Sequence, residues 1–223
     1  SGRLRWNATI DDVAGSRQVG SHNAGYAAAA TFDRSMRALF VAHGGYVHAL
    51  DSENGTTRWR KPATACSHLV GVTPTICSHY RPTSAVVCGD AVVVAFDNSS
   101  TTVLLAAFGV SDGRHLWHHL LEASSANASA PATATAGTAP TCVDGALLVA
   151  IAPAAPLMAY NSSSGTPLWR STHVASTTAG VAVLRREDAI VAYVCGNTIG
   201  GHAAASRAPA TWHVCVAVVG SGR

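Results

Sequence analysis

At 223 residues the chain has room for one large all-β domain or two small ones. It is 48% hydrophobic with only 12% charged residues, about half the ~25% charged share of an ordinary domain, which excludes a disordered chain. Its net charge of +3 is carried by scattered Lys and Arg, which excludes the clustered cations that a nucleic-acid interface needs.

The first eight residues, opening "SGRLRW", read as a polar turn followed by one strand. "AAATFDRSMRALFVAHGG" then reads as two short strands joined by a tight reversal, and "YVHALDSENGTTRWR" as a third strand, a turn ending in glycine and a fourth strand. After the extended connection "KPATACSHLVGVTPTICSHYRP" the same order returns: "SAVVCGDAVVVAF" for a pair of strands, and "LLAAFGVSDGRHLWHH" for the next pair with its glycine turn. A low-complexity stretch, "LEASSANASAPATATAGTAP", reads as a surface connection. It leads to "PTCVDGALLVAI" and "PLMAYNSSSGTPLWR", and the last unit begins with "VAVLRREDAIVAY" and ends in "CVAVVGSGR". Between those two, "GNTIGGHAAAS" reads as a long loop, where binding residues tend to stand. It leads to Pro209, not a helix, so it is neither a dinucleotide fingerprint nor a phosphate loop.

One rule runs through these elements. Gly2, Gly55, Gly113 and Gly165 each stand four residues before Trp6, Trp59, Trp117 and Trp169, and Gly222 continues the series. The spacing of about 55 residues, with four strands per unit, is the signature of an antiparallel β-propeller blade. Helical repeats would need apolar residues at i, i+3, i+4 and i+7, which are absent. A two-sheet sandwich gives no reason for four such units in register. The predicted organisation is an all-β propeller region over 1–223: an outer strand at 1–8 and blades at 9–61, 62–121, 122–171 and 172–223. Ser-Gly-Arg at both ends marks the turn before the outer strand, so the last blade is expected to lack that strand. If four blades close the ring, residues 3–8 pair with 211–219; otherwise Trp6 belongs to a blade whose first three strands are absent.

"HALDSENGTTRWR" resembles the repeat of quinoprotein alcohol dehydrogenase-like propellers, the PQQ-like repeats. "AFGVSDGRHLWHH" and "MAYNSSSGTPLWR" match more loosely, with Gly109 and Asn161 where Asp51 stands. In such a blade the outer-strand Trp is expected to stack over the neighbouring blade's turn while its N–H finds a backbone carbonyl.

The resemblance implies, for members that are enzymes, a quinone (PQQ) and Ca²⁺ near the axis, carboxylate and amide ligands, a catalytic Asp, a cation beside the quinone and often two adjacent cysteines. This sequence has no Cys-Cys pair, and most of its twelve acidic residues, Asp51, Glu53, Asp112, Asp144, Glu187 and Asp188 among them, fall in predicted turns. A hard cation needs six to eight converging oxygens, and no set can be nominated. Nor is there a Gly-x-Ser-x-Gly elbow. Strand alternation puts His115, Trp117 and His119 on one face and His118 on the other. Without zinc-type spacing they read as a solvated outer strand, and His43 and His48 flank a Gly-Gly turn. No catalytic or metal residue is predicted.

Five of the seven Asn head glycosylation sequons, Asn7, Asn54, Asn98, Asn127 and Asn161, and the six Cys are an even number. Both favour a secreted or lumenal chain with disulfides. Cys195 with Cys215, and Cys66 with Cys77, are candidate pairs; Cys88 and Cys142 stand at similar places in adjacent blades, with no ground for joining them. No window of 18 apolar residues occurs, so no spanning helix is expected. The chain shows neither an initiator Met nor a leader pattern and is expected to be a piece of something longer.

The expected function is that of a non-catalytic scaffold whose face or edge holds another protein. Two alternatives differ in class: a fragment of a PQQ- and Ca²⁺-dependent dehydrogenase, and a carbohydrate- or small-ligand-binding propeller. The last would need exposed aromatics, for which Tyr26, Tyr80 and Trp212 are the free candidates.

Overall fold

The computed structural model describes residues 6–8, 10, 29–43, 46–62, 81–97, 102–122, 139–149, 157–170, 181–186, 189–196 and 213–219, the last three segments as backbone only. All the regular elements among them are strands. The first sheet holds β1 (Ala29–Asp33), β2 (Ala38–His43), β3 (Tyr46–Asp51) and β4 (Thr57–Pro62). The second holds β5 (Arg81–Cys88), β6 (Ala91–Asp97), β7 (Thr102–Gly109) and β8 (His115–Glu122). The third holds β9 (Thr141–Val143), β10 (Ala146–Val149), β11 (Met158–Asn161) and β12 (Pro167–Arg170). The fourth holds β13 (Val181–Arg186), β14 (Ala189–Gly196) and β15 (His213–Val219). Every sheet is an antiparallel meander in chain order, with four strands in the first three and three in the fourth among the described residues.

The sheets succeed one another as blades. The first strand of each blade adjoins the first strand of the next, β1 beside β5, β5 beside β9 and β9 beside β13. The second blade shows why its strands read as unbroken apolar runs. On β6, Val92, Val94 and Phe96 pack with the first sheet's Phe40, Val47 and Trp59. Ala91, Val93 and Ala95, on the opposite face, join Leu147, Val149 and Tyr160 of the third. The same alternation on β7 sends Leu104, Ala106 and Phe108 to one side and Val103, Leu105 and Ala107 to the other. Both faces of the sheet are therefore core. Outer strand β4 alternates differently: Trp59 is its one buried residue.

Residues 6–8 are not in a strand, and no ladder joins them to β15 among the described residues. Trp6 instead stands against the first blade, with its indole N–H bonded to Ser52. Gly2, residues 3–5 and Gly222 lie outside the described residues, as does the Ser-Gly-Arg turn at either end.

Candidate functional site: the fastened seams between blades

The residues with the clearest joint task sit where one blade meets the next. In each of the first three blades the turn between third and outer strand closes in one way. Gly55 N–H donates to the carbonyl of Asp51, Gly113 to Gly109 and Gly165 to Asn161, each at 2.8 Å. The N–H groups of Asp51, Gly109 and Asn161 return bonds to the carbonyls of Thr56, Arg114 and Thr166 at 2.8, 2.7 and 2.8 Å. The turn glycines have φ of +74, +67 and +71°, the left-handed region that a Cβ disfavours.

Over each glycine lies an indole. A Cβ would stand 2.6 Å from Trp6 at Gly55, 2.6 Å from Trp59 at Gly113 and 2.7 Å from Trp117 at Gly165. The indole N–H then donates to the carbonyl three residues before that glycine: Trp6 to Ser52 at 2.8 Å, Trp59 to Val110 at 3.0 Å, Trp117 to Ser162 at 2.7 Å. Those acceptor residues are themselves anchored in their own blade, since Ser52, Val110 and Ser162 N–H groups bond the carbonyls of Arg37, Asp90 and Gly145. Each tryptophan is thus hung on a turn already locked to the reversal beside it. The sequence rule had this geometry in it, and an alanine faces each blade's own indole across the ladder: Ala49 for Trp59, Ala107 for Trp117, Ala159 for Trp169.

Side chains at these turns differ but do equivalent work. Asp51 Oδ1 accepts from the N–H groups of Glu53 and Asn54 at 2.8 and 3.3 Å, and Asn161 Oδ1 from Ser163 and Ser164, both at 3.0 Å. Gly109 has no side chain to offer. There Asp112 Oδ1 accepts from Arg114 N–H at 2.9 Å, and it occupies the space a Cβ on residue 109 would take, at 2.6 Å. Asp51 Oδ2 also receives Arg58 at 2.7 Å. The Arg58 guanidinium and then the Glu53 N–H hold the Asp51 carboxyl below its ordinary range. Arg58 reaches on to the carbonyls of Met36 and Arg37, bracing Arg37, whose φ is +49°. The Asp33 carboxyl is held low by the Ser35 hydroxyl, with the N–H groups of Met36 and Ser35 also donating.

Alternation gives the shared face of His119 and Trp117 but not the place of His115. A register shift between Ala107 and Phe108 sets His115 opposite Phe108 and Trp117 opposite Ala107, so the extra residue, Leu116, rotates His115 out of phase. His115 and His118 stand together, ring centroids 5.3 Å apart, while His119 accompanies Trp117 at 5.4 Å. His119 is no solvated bystander. Its Nε2 donates to the Gly165 carbonyl at 2.6 Å, and its ring stacks on Tyr160 at 5.0 Å, whose phenol pKa is raised by burial. It is a second fastener between the second and third blades, and strand alternation alone did not reveal it. Its signal was its place two residues after a repeat tryptophan, where Lys61 of the first blade likewise leans on the next turn glycine. His43 ends β2 half-buried, and His48 is buried on β3 beside Tyr46.

The same seam is closed covalently. Cys88, ending β5, and Cys142, on β9, form a disulfide with Cα atoms 5.3 Å apart, the pair for which the sequence offered no ground. They lie 54 residues apart, about one repeat, and the contact of β5 with β9 brings them together. Cys195 stands opposite Val214 and Cys215 opposite Val194, one position out of register. Cys66 and Cys77 lie outside the described residues. Of the sequons, Asn7 and Asn54 are exposed and Asn161 is half-buried in its turn; Asn98 and Asn127 lie outside the described residues, as do Tyr26, Tyr80 and Trp212.

Among the described residues no three His, Cys, Asp or Glu converge, and Asp33, Asp51 and Asp112 face the backbone of their own turns. No helix among the described residues is long and apolar enough to cross a membrane.

No curated protein matches the chain. Among solved structures, BamB from Moraxella catarrhalis is similar at 14% identity and a TM-score of 0.48, covering 78% of this chain and 48% of that one. Quinohemoprotein alcohol dehydrogenase from Comamonas testosteroni is similar at 12% identity and a TM-score of 0.51, covering 72% and 30%. The chain therefore spans less than half the length of either structure, and at these identities the likeness is one of fold. The model of the PQQ-like repeat family described as "Outer membrane protein assembly factor BamB" matches residues 1–192. With blades, turns and tryptophans in that repeat's order, the chain belongs to the BamB-like family of PQQ-like β-propellers.

Proposed function

We propose that the chain is a non-catalytic scaffold that binds another protein through the rim of its blades, without quinone or metal, in a secreted or lumenal setting. The observation that carries this reading is the match of residues 1–192 to a family described as an assembly factor. The placement of chemistry-bearing side chains supports it: carboxylates cap turns, one histidine and three tryptophans fasten seams, and two cysteines join blades. Leu120 and Leu168 stand exposed on the outer strands β8 and β12, where they offer a partner apolar contacts on rigid elements. The disulfide and the five sequons favour an oxidising, glycosylating compartment.

A photoreactive residue in place of Leu120 or Leu168, activated in the cells that make the protein, tests the reading. The expected result is a discrete adduct with one identifiable protein, lost from the Leu168 probe when Leu120→Asp is added. Adducts absent from both positions, or formed only between copies of this chain, would contradict it.

A further inference from the structure

The repeat itself shows which side chains a blade needs at each station. In the first sheet two neighbouring cross-strand rows, Val41–His48–Arg60 and His43–Tyr46–Pro62, share one face. The matching rows of the second sheet are Val94–Ala106–His118 and Phe96–Leu104–Leu120, because His48 and Ala106 each stand seven residues before the turn glycine. Val94, Phe96, Leu104 and Ala106 are fully buried core. In the third sheet the row is Val149–Met158–Arg170, with Met158 at the station of His48. Apolar residues therefore satisfy a blade where the first one carries His43, Tyr46 and His48.

The exchange has a cost. His48 is buried, and an imidazole in such a place needs hydrogen-bond partners that alanine does not. The residues around it share one chemistry. The Arg60 guanidinium lies over the Tyr46 ring, 4.0 Å from its centroid, and the Tyr46 and His48 ring centroids are 6.3 Å apart. His43 stands opposite Tyr46 and diagonal to His48, within the reach of aromatic side chains on neighbouring strands. His43 and Tyr46 are half-buried and Arg60 is exposed, so the group runs from a buried floor to solvent. Neither row contains a carboxylate, and the permanent charge of the guanidinium repels a cation. Arg60 has five N–H donors and each imidazole at least one, so the set can serve a ligand in addition to contacts within the chain.

We propose that His43, Tyr46, His48 and Arg60 form a binding site for a tetrahedral oxyanion, a phosphate or sulfate group. Arg60 is its charged donor, with a planar fork suited to two oxygens of one group. The imidazoles and the phenol are its neutral donors. Donors carried by β2, β3 and β4 suit an anion with more oxygens than the two of a carboxylate. The site belongs to the first blade alone, since the second has Phe96, Leu104 and Ala106 at the same stations and the third has Met158 opposite Arg170.

Isothermal titration calorimetry of the 223-residue chain with sodium sulfate, against sodium chloride at equal ionic strength, tests the site. Saturable binding of sulfate is expected with a Kd of roughly 0.1–1 mM, and none of chloride. Arg60→Gln is expected to weaken it at least about tenfold and Arg60→Lys by less, with circular dichroism unchanged because Arg60 is exposed. Arg170→Gln, at the same station of the third blade, is expected to bind sulfate as wild type does. Competition by phenyl phosphate would assign the site to an ester group, and binding of the inorganic ions alone would assign it to a free oxyanion. No saturable sulfate binding, acetate bound as tightly as sulfate, or an Arg60→Gln chain that binds like wild type would overturn the proposal.

Discussion

Gly113 concentrates the chemistry of a seam in one residue. Its φ of +67° and the 2.6 Å between a Cβ and Trp59 mean that Gly113→Ala imposes backbone strain and displaces the indole together. The expected loss is about 2–4 kcal/mol, the sum of a left-handed alanine and a shifted ring, read from urea unfolding; a change below about 0.5 kcal/mol would contradict it. Trp59→Ala, which removes both the stacking and the bond to Val110, is expected to cost about 3–5 kcal/mol. Asp51 sets a pH dependence. Arg58 and the turn N–H groups lower its carboxyl in the folded chain, so the stabilisation is complete above the unfolded carboxylate range. It is lost as pH falls through the lower folded value. Melting temperature is expected to drop below about pH 4, and Asp51→Asn to flatten that part of the profile.

At the scale of elements, the disulfide between β5 and β9 makes the second seam the strongest among those described. It closes a loop spanning 54 residues, and its reduction is expected to cost about 4 kcal/mol by the loop-entropy relation. Urea unfolding with and without dithiothreitol, checked against Cys88→Ala, measures this; coincident curves would count against the staple. The strands themselves were legible in the sequence. "AVVVAF" and "LLAAF" belong to a sheet buried on both faces, and a glycine four residues before each tryptophan marks turn, indole and acceptor carbonyl together. What escaped depends on more than one chain segment. The bulge beside Phe108 turned His115 toward His118, and strict alternation cannot contain an inserted residue. The Cys88–Cys142 bond and the His119 fastener arise only when one blade lies against another, a stagger that spacing along the chain does not fix.

For the whole molecule, the repeat explains how the described chemistry-bearing side chains are engaged. A meander of four strands has two apolar faces, each blade must be covered by its neighbours, and the turns that hold the blades in order engage the carboxylates, the tryptophans and His119. The proposed scaffold would offer a partner the strands and exposed leucines of its rim. A quinone with calcium at the axis is the competing possibility, and one titration separates the two. Pyrroloquinoline quinone is added to the purified chain in excess Ca²⁺ while tryptophan quenching and alcohol-dependent dye reduction are followed. A non-catalytic scaffold predicts neither saturable quenching nor dye reduction, and stoichiometric binding with alcohol-dependent turnover would contradict it.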